Sequence, residues 1–228
     1  MNVFVLSVVA SVAATLHCDK HVVKMILEST QILYTVLDMH GSHVDSNVVL
    51  LSGERGNTYK PTHKHHPCVL WTAGSVSAFK WVLNLAFSLC SEFEKRYGKE
   101  HKCKAHLKHI LNHVSCKGFP ASMPSNIEVK DWICWVKSQG VKSTAIKHLE
   151  SRICTKNVPE GCTFCVAALS GTKKNIVQSK EEERNVVEDM LCRDMDGCID
   201  AVDAYNRYYI HKSRHMFNMT YCGQTVKL

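Results

Sequence analysis

Apolar residues along the 228-residue chain recur mainly at helical spacing, and two stretches dominate. Over about 21–39, Val22, Met25, Ile26, Ile32, Leu33 and Val36 fall near a 3.6-residue period, with Asp19 placed to act as an N-cap. The strongest helical stretch is 68–97, which carries Leu70, Trp71, Phe79, Trp81, Val82, Leu85, Leu89 and Phe93, with Gly98 as its stop. A further helix is predicted over about 102–114, ended by Gly118 and Pro120. Shorter helices are predicted over 131–137, 142–153 and 181–191, and a last one over 200–217. The segment 2–16 is apolar and β-branched, so it reads as a short strand running into a helix. Glycines and polar residues make 40–60 a loop around a short apolar piece at 48–51, and 154–180 is turn-rich. Pro61 and Pro67 bound an ordered loop. No pair of alternating strands stands out, so the predicted fold class is mainly α.

Composition narrows this picture. Hydrophobic residues make up 45% and charged residues 21%, which excludes a disordered chain, and 11 Gly with 5 Pro exclude collagen-like material. No run of 18 apolar residues occurs, so no membrane partner is expected. The apolar run at 3–16 has no Lys or Arg before it and no clean cleavage site after it. The 12 cysteines are irregularly spaced and read as free thiols in a reducing compartment, so an intracellular location is expected. The net charge of +7 is concentrated: residues 101–160 hold ten Lys/Arg against four Asp/Glu, whereas 1–100 hold nine against eight and 161–228 nine against nine. A basic middle third suits a polyanion such as nucleic acid, with a solvated face as the plain alternative.

Four constellations carry candidate chemistry. His21, Lys24, Glu28 and Gln31 lie at i, i+3, i+7 and i+10, one polar stripe along a helix. Glu28 can act there as acid, base or electrostatic stabiliser and His21 as proton carrier, while a surface Lys24–Glu28 ion pair is the simpler alternative. His63, His65, His66 and Cys68 fall within six residues and suit a metal, a phosphate or a base, although their spacing matches no common zinc knuckle. Cys162-x-x-Cys165 suits structural zinc, a disulfide or free thiols. The run 204–212 interleaves Tyr205, Tyr208 and Tyr209 with Arg207 and Lys212, as suits base stacking with phosphate contacts; tyrosines covering a core fit the same pattern.

Taken together, the blocks Cys18-Asp19-Lys20-His21-Val22-Val23-Lys24-Met25, Tyr59-Lys60-Pro61-Thr62-His63, His66-Pro67-Cys68, Arg96-Tyr97-Gly98-Lys99, Met123-Pro124 and Ala204-Tyr205-Asn206-Arg207-Tyr208-Tyr209 resemble a family of small phage and viral proteins. More distantly, they are similar to the pyrimidine-dimer DNA glycosylases of the endonuclease V type. That family is compact and all-α, and its first helix carries Asp-x-His with a catalytic Glu seven residues after the His. Asp19, His21 and Glu28 have that spacing. The resemblance implies base excision, in which an amine attacks the deoxyribose C1′ and a carboxylate stabilises the cationic sugar. In the family the amine belongs to the residue exposed when the initiator Met is removed. Here position 2 is Asn2, which favours Met retention, and Leu27 stands where the family has an arginine. Lys24 is the nearest cation on that helix and a candidate nucleophile.

The expectation is therefore an endonuclease V-like helical domain over 1–125 and 200–228, with a Cys-containing, metal-stabilised insertion over 126–199. Glu28, His21 and Lys24 would be catalytic. Lys60, His63, His66, Arg96, Lys99, Tyr205, Arg207 and Tyr208 would contact DNA, with damaged or modified pyrimidines as substrates. No cofactor is required by this chemistry, and Cys162 and Cys165 are the candidate ligands of a structural zinc. The resemblance places the protein in a virus-infected host cell, in cytoplasm or nucleus, and leaves its oligomeric state open. Non-catalytic nucleic-acid binding and an enzyme acting on free nucleotides are the alternatives.

Overall fold

The computed structural model describes residues 1–127, 129–142, 202, 205–207, 209–210 and 219–225. The described fold is mainly α: α1 (Ala10–Leu16), α2 (Asp19–Met39), β1 (Asn47–Val49), β2 (Arg55–Asn57), α3 (Pro67–Ala73), α4 (Val76–Tyr97), α5 (Cys103–Lys117), α6 (Val129–Ser138), β3 (Thr220–Tyr221) and β4 (Gln224–Thr225). Residues 202, 205–207 and 209–210 are helical as well. The helix α2 is the centre, with α3, α4 and α5 packed around it and α1 laid on α4. Its Ile26, Ile32, Leu33, Val36 and Leu37 are fully buried. Its buried Thr30 and Thr35 hydroxyls donate back to the carbonyls of Ile26 and Gln31, so neither costs an unpaired polar group.

The stretch expected to run unbroken from 68 to 97 is two helices bent by 117°. Ser75 is extended there, and its hydroxyl caps α4 by accepting from Ala78 N–H at 3.1 Å. The bend makes room for Trp132 of α6. A Cβ on Gly74 would stand 2.6 Å from Trp132 Cδ1, and the indole N–H donates to the Leu70 carbonyl at 3.1 Å. The start of the segment expected as a separate insertion is thus seated on α3 through Trp132 and Val136. The Cys-x-x-Cys pair and the helices expected over 142–153 and 181–191 lie outside the described residues. Among those residues, no single helix is long and apolar enough to cross a membrane.

Two short hairpins were not expected. In β1–β2, Val48 faces Gly56. In β3–β4, the turn residues Cys222 and Gly223 both have positive φ, 51° and 79°, as a tight two-residue hairpin requires. That turn is held by Asp19. The expected N-cap is instead the first residue of α2, and Cys18 occupies the capping position without capping the helix through its side chain. Asp19 Oδ1 accepts from Cys222 N–H and Oδ2 from Gly223 N–H, both at 2.9 Å. Burial raises its pKa, but bonds from Gly223, Thr220, Cys222 and Arg96 outweigh that and hold the carboxyl below its usual range.

The amino-terminal segment is extended but pairs with no strand among the described residues. Val3, Phe4, Val5 and Leu6 are all buried, and side chains satisfy its backbone. Tyr205 O–H donates to the Val3 carbonyl at 2.6 Å and the Trp81 indole to the Val8 carbonyl at 2.7 Å.

Behind this segment His17 is fully buried, its Nδ1–H donating to the Ala13 carbonyl at 2.6 Å. Burial pushes its pKa down to about 4. Between pH 6.5 and about 4 the unfolded chain binds a proton there that the folded chain excludes, so stability falls as pH falls through that window. The loss from this residue is on the order of 3 kcal/mol. His17→Gln, which keeps a donor for Ala13, is expected to lose less stability than the wild type between pH 7 and pH 4.5 in urea melts. Equal losses would contradict the assignment.

Candidate active site

Burial of residues 3–6 delivers the start of the chain to Glu28. The Asn2 N–H donates to Glu28 Oε2 at 2.6 Å, and the α-amino nitrogen of Met1 lies 4.0 Å from the same oxygen. On the other side, Lys24 Nζ lies 3.4 Å from Oε1. The Glu28 side chain is only 12% exposed, whereas that of Lys24 is 63% exposed and reaches in from solvent. The Lys24–Glu28 pair is therefore more than a surface ion pair: its carboxylate is shielded and shared with the chain terminus. A shielded carboxylate between two amine-bearing groups can hold an amine in place, take its proton, or stabilise a cation formed next to it.

His21 does not share that opening. It is buried one turn and more before Glu28, its ring stacked on Phe4 with centroids 4.7 Å apart and edge-on to Tyr209 at 5.2 Å. Its Nδ1 is hydrogen-bonded to the Tyr209 hydroxyl. This arrangement makes it a seat for Phe4, and through Phe4 for the whole terminal segment.

The His63–Cys68 loop comes to the same place. Thr62 N–H donates to Thr35 Oγ1 at 3.1 Å, and Lys64 pairs with Asp38 at 2.7 Å, which ties the loop along α2. His66 then caps α3, its Nδ1 accepting from Cys68 N–H at 3.2 Å. The buried Cys68 thiol bonds to the backbone of Val3 and feels the charges of both the amino terminus and Glu28. Burial pushes that thiol up to about 12, so without a metal it stays protonated at neutral pH. Among the described residues no group of three or more His, Cys, Asp or Glu is arranged to hold a metal ion.

The other predicted contacts divide. Lys60, His63, Lys99 and Arg207 are exposed, and Arg207 lies on the helical stretch whose Tyr205 and Tyr209 pack against Phe4. Tyr208, Cys162 and Cys165 lie outside the described residues. Arg96 and Tyr205, expected on DNA, face inward. The Arg96 side chain is 3% exposed and binds Asp19 Oδ1 at 3.0 Å, Glu92 Oε2 at 3.1 Å and the carbonyls of His17 and Thr15. Tyr205 is spent on Val3. Each finds partners in the fold that neither charge nor aromatic spacing reveals. Phe4 was absent from the sequence reading, and Asn2 entered it only through Met retention, because the buried start of the chain carries no period to mark which residue reaches the site.

A hollow lined by His40, Ser42, His113, Lys117 and Phe119 opens at the far end of α2. Twelve residues separate His40 from Glu28, roughly 18 Å along the helix, so it is no part of this site.

Comparison of the chain with known protein families, with characterised proteins and with solved structures finds no match in any of the three.

The division between inward and outward cations is measurable. Arg96→Gln leaves Asp19 and Glu92 short of a partner and is expected to cost about 3 kcal/mol of stability. Lys99→Gln, on an exposed side chain, should cost under about 0.5 kcal/mol. Similar urea midpoint shifts for the two variants would contradict this placement.

Proposed function

We propose that this protein is a DNA base-excision enzyme, a glycosylase with AP-lyase activity, whose reacting pair is the amino group at the start of the chain and Glu28. The observation that carries this reading is the placement of the first two backbone nitrogens at the shielded Glu28 carboxylate, 4.0 and 2.6 Å from one oxygen. Either nitrogen is poised there as an α-amine, depending on whether Met1 is retained. Damaged or modified pyrimidines are the substrate class that the endonuclease V resemblance implies. Exposed Lys24, Lys60, Lys99 and Arg207 would meet the phosphates of a duplex distorted to bring the nucleotide to Glu28.

In this reaction the neutral amine forms a bond to C1′ as the C1′–N1 bond breaks and its electron pair leaves with the base. Glu28 stabilises the positive charge that develops on the sugar. Opening of the C1′–O4′ bond and loss of the amine's two protons, one to O4′ and one to the departed base, give a Schiff base. Removal of a 2′ proton then expels the 3′ phosphate by β-elimination, and water releases the amine. The Asn2–Glu28 contact holds the nucleophile beside its stabilising carboxylate before substrate arrives, which lowers the entropic part of the barrier.

The test is borohydride trapping on labelled duplexes carrying a thymine cyclobutane dimer, 5-hydroxymethyluracil or an abasic site. The expected result is a covalent adduct mapped by mass spectrometry to the amino-terminal peptide, the intact mass fixing which residue bears the amine. Glu28→Gln should lower product formation a hundredfold or more, on the order of what one general acid–base group contributes, with DNA affinity nearly intact. An adduct at Lys24 would move the nucleophile to that side chain. Base release without any adduct would make Glu28 the activator of water. Salt-sensitive binding with neither adduct nor release would overturn the enzymatic reading in favour of a nucleic-acid-binding protein.

A further inference from the structure

His66 carries an inference beyond a general DNA contact. Its Nδ1 accepts a hydrogen bond from the Cys68 N–H at 3.2 Å. A backbone N–H only donates, so Nδ1 presents its lone pair and the proton of the neutral ring must sit on Nε2. The cap on α3 thus fixes the tautomer, and it leaves an N–H donor on the part of the ring turned away from the helix. The ring is half-buried, and no partner for Nε2 is found among the described residues. Its neighbour Cys68 bonds to Val3, which follows the Asn2 nitrogen at Glu28. The ring also feels the charge of the α-amino group, which puts His66 near the proposed reacting pair.

We propose, building on the base-excision reading above, that His66 donates its Nε2 hydrogen bond to O2 of the pyrimidine as that base leaves. When the C1′–N1 bond breaks, the electron pair passes into the base and negative charge gathers on N1 and O2. A fixed donor at O2 binds the transition state more tightly than the ground state, which is the condition for accelerating the step. Of the two protons that the attacking nitrogen loses, one goes to O4′ and the other balances the one the departed base takes up. A phosphate would be better served by an imidazolium. His66 is held neutral: burial first, then the charge of the α-amino group and the His63 ring push its pKa down to about 4. A neutral donor with its tautomer locked fits an oxygen that becomes charged only as the reaction proceeds.

The role predicts a split between two steps of one enzyme, because a preformed abasic site has no base to stabilise. His66→Asn keeps an acceptor near the Nδ1 position for the Cys68 N–H and removes the Nε2 donor. The ratio of base release from a 5-hydroxymethyluracil or thymine-dimer duplex to strand cleavage at an abasic duplex is expected to fall about a hundredfold, as for loss of one oxyanion donor. If the two activities fall together, or neither falls, this role is overturned while the base-excision reading stands. If the wild-type protein acts on none of these duplexes, both are overturned. Independently of any substrate, the nitrogen-15 NMR spectrum of the His66 ring should show the neutral Nε2–H form at pH 6. An imidazolium, or a proton on Nδ1, would contradict the geometry on which the role stands.

Discussion

The hydrogen bond from Asn2 to Glu28 is the contact on which the rest of the site depends. It exists because the four residues that follow Asn2 are driven into the core. Val3, Phe4, Val5 and Leu6 are at most 3% exposed, and each such side chain contributes on the order of 2 kcal/mol by leaving water. An extended segment buried without a sheet partner must find other partners for its backbone. Here the Tyr205 hydroxyl, the Trp81 indole and the Glu28 carboxylate supply them. The result is a chain start held against an acid, where most proteins leave a terminus free in solvent.

The polar residues of α2 divide the labour along one helix. At its beginning, Asp19 gathers Arg96 and the β3–β4 turn, so the ends of α1 and α4 and the terminal hairpin meet at one carboxylate. One half-turn on, His21 gives up its ring to Phe4 and Tyr209. Lys24 and Glu28 then meet at the site. Asp19 fixes the β3–β4 turn against α4, His21 fixes where the amino-terminal segment runs, and the last two meet what it delivers. In the proposed reaction, loss of Asp19 or His21 would act through position, whereas loss of Glu28 would act directly.

Much of this was legible in the chain. The 3.6-residue period marks α2 almost to its ends, and Gly98, at φ 65°, closes α4 where the pattern stops. The spacing of Lys24 and Glu28 placed them on one face, and the loop at 63–68 was singled out as chemistry-bearing. The break at Gly74-Ser75 was not legible, because Trp132, which packs there against a position that tolerates no Cβ, lies 58 residues further along the chain. That Arg96 and Tyr205, expected on DNA, turn inward was hidden for a related reason. A cation and an aromatic ring carry the same local signal whether they meet a polyanion or a buried carboxylate and a carbonyl. Periodicity reports which face of a helix is apolar; it is silent on which distant groups that face will find.

The central claim is that the amine at the start of the chain, held at Glu28, does the chemistry. Two residues added ahead of Met1 would carry the amine about 7 Å beyond its present position while leaving Glu28, Lys24 and the basic surface in place. The measurement is Schiff-base formation on an abasic-site duplex by this extended chain, with its urea midpoint and DNA affinity checked against the native protein. The account predicts a stable, DNA-binding protein that no longer forms the adduct. An extended chain that forms it as fast as the native one would contradict the account.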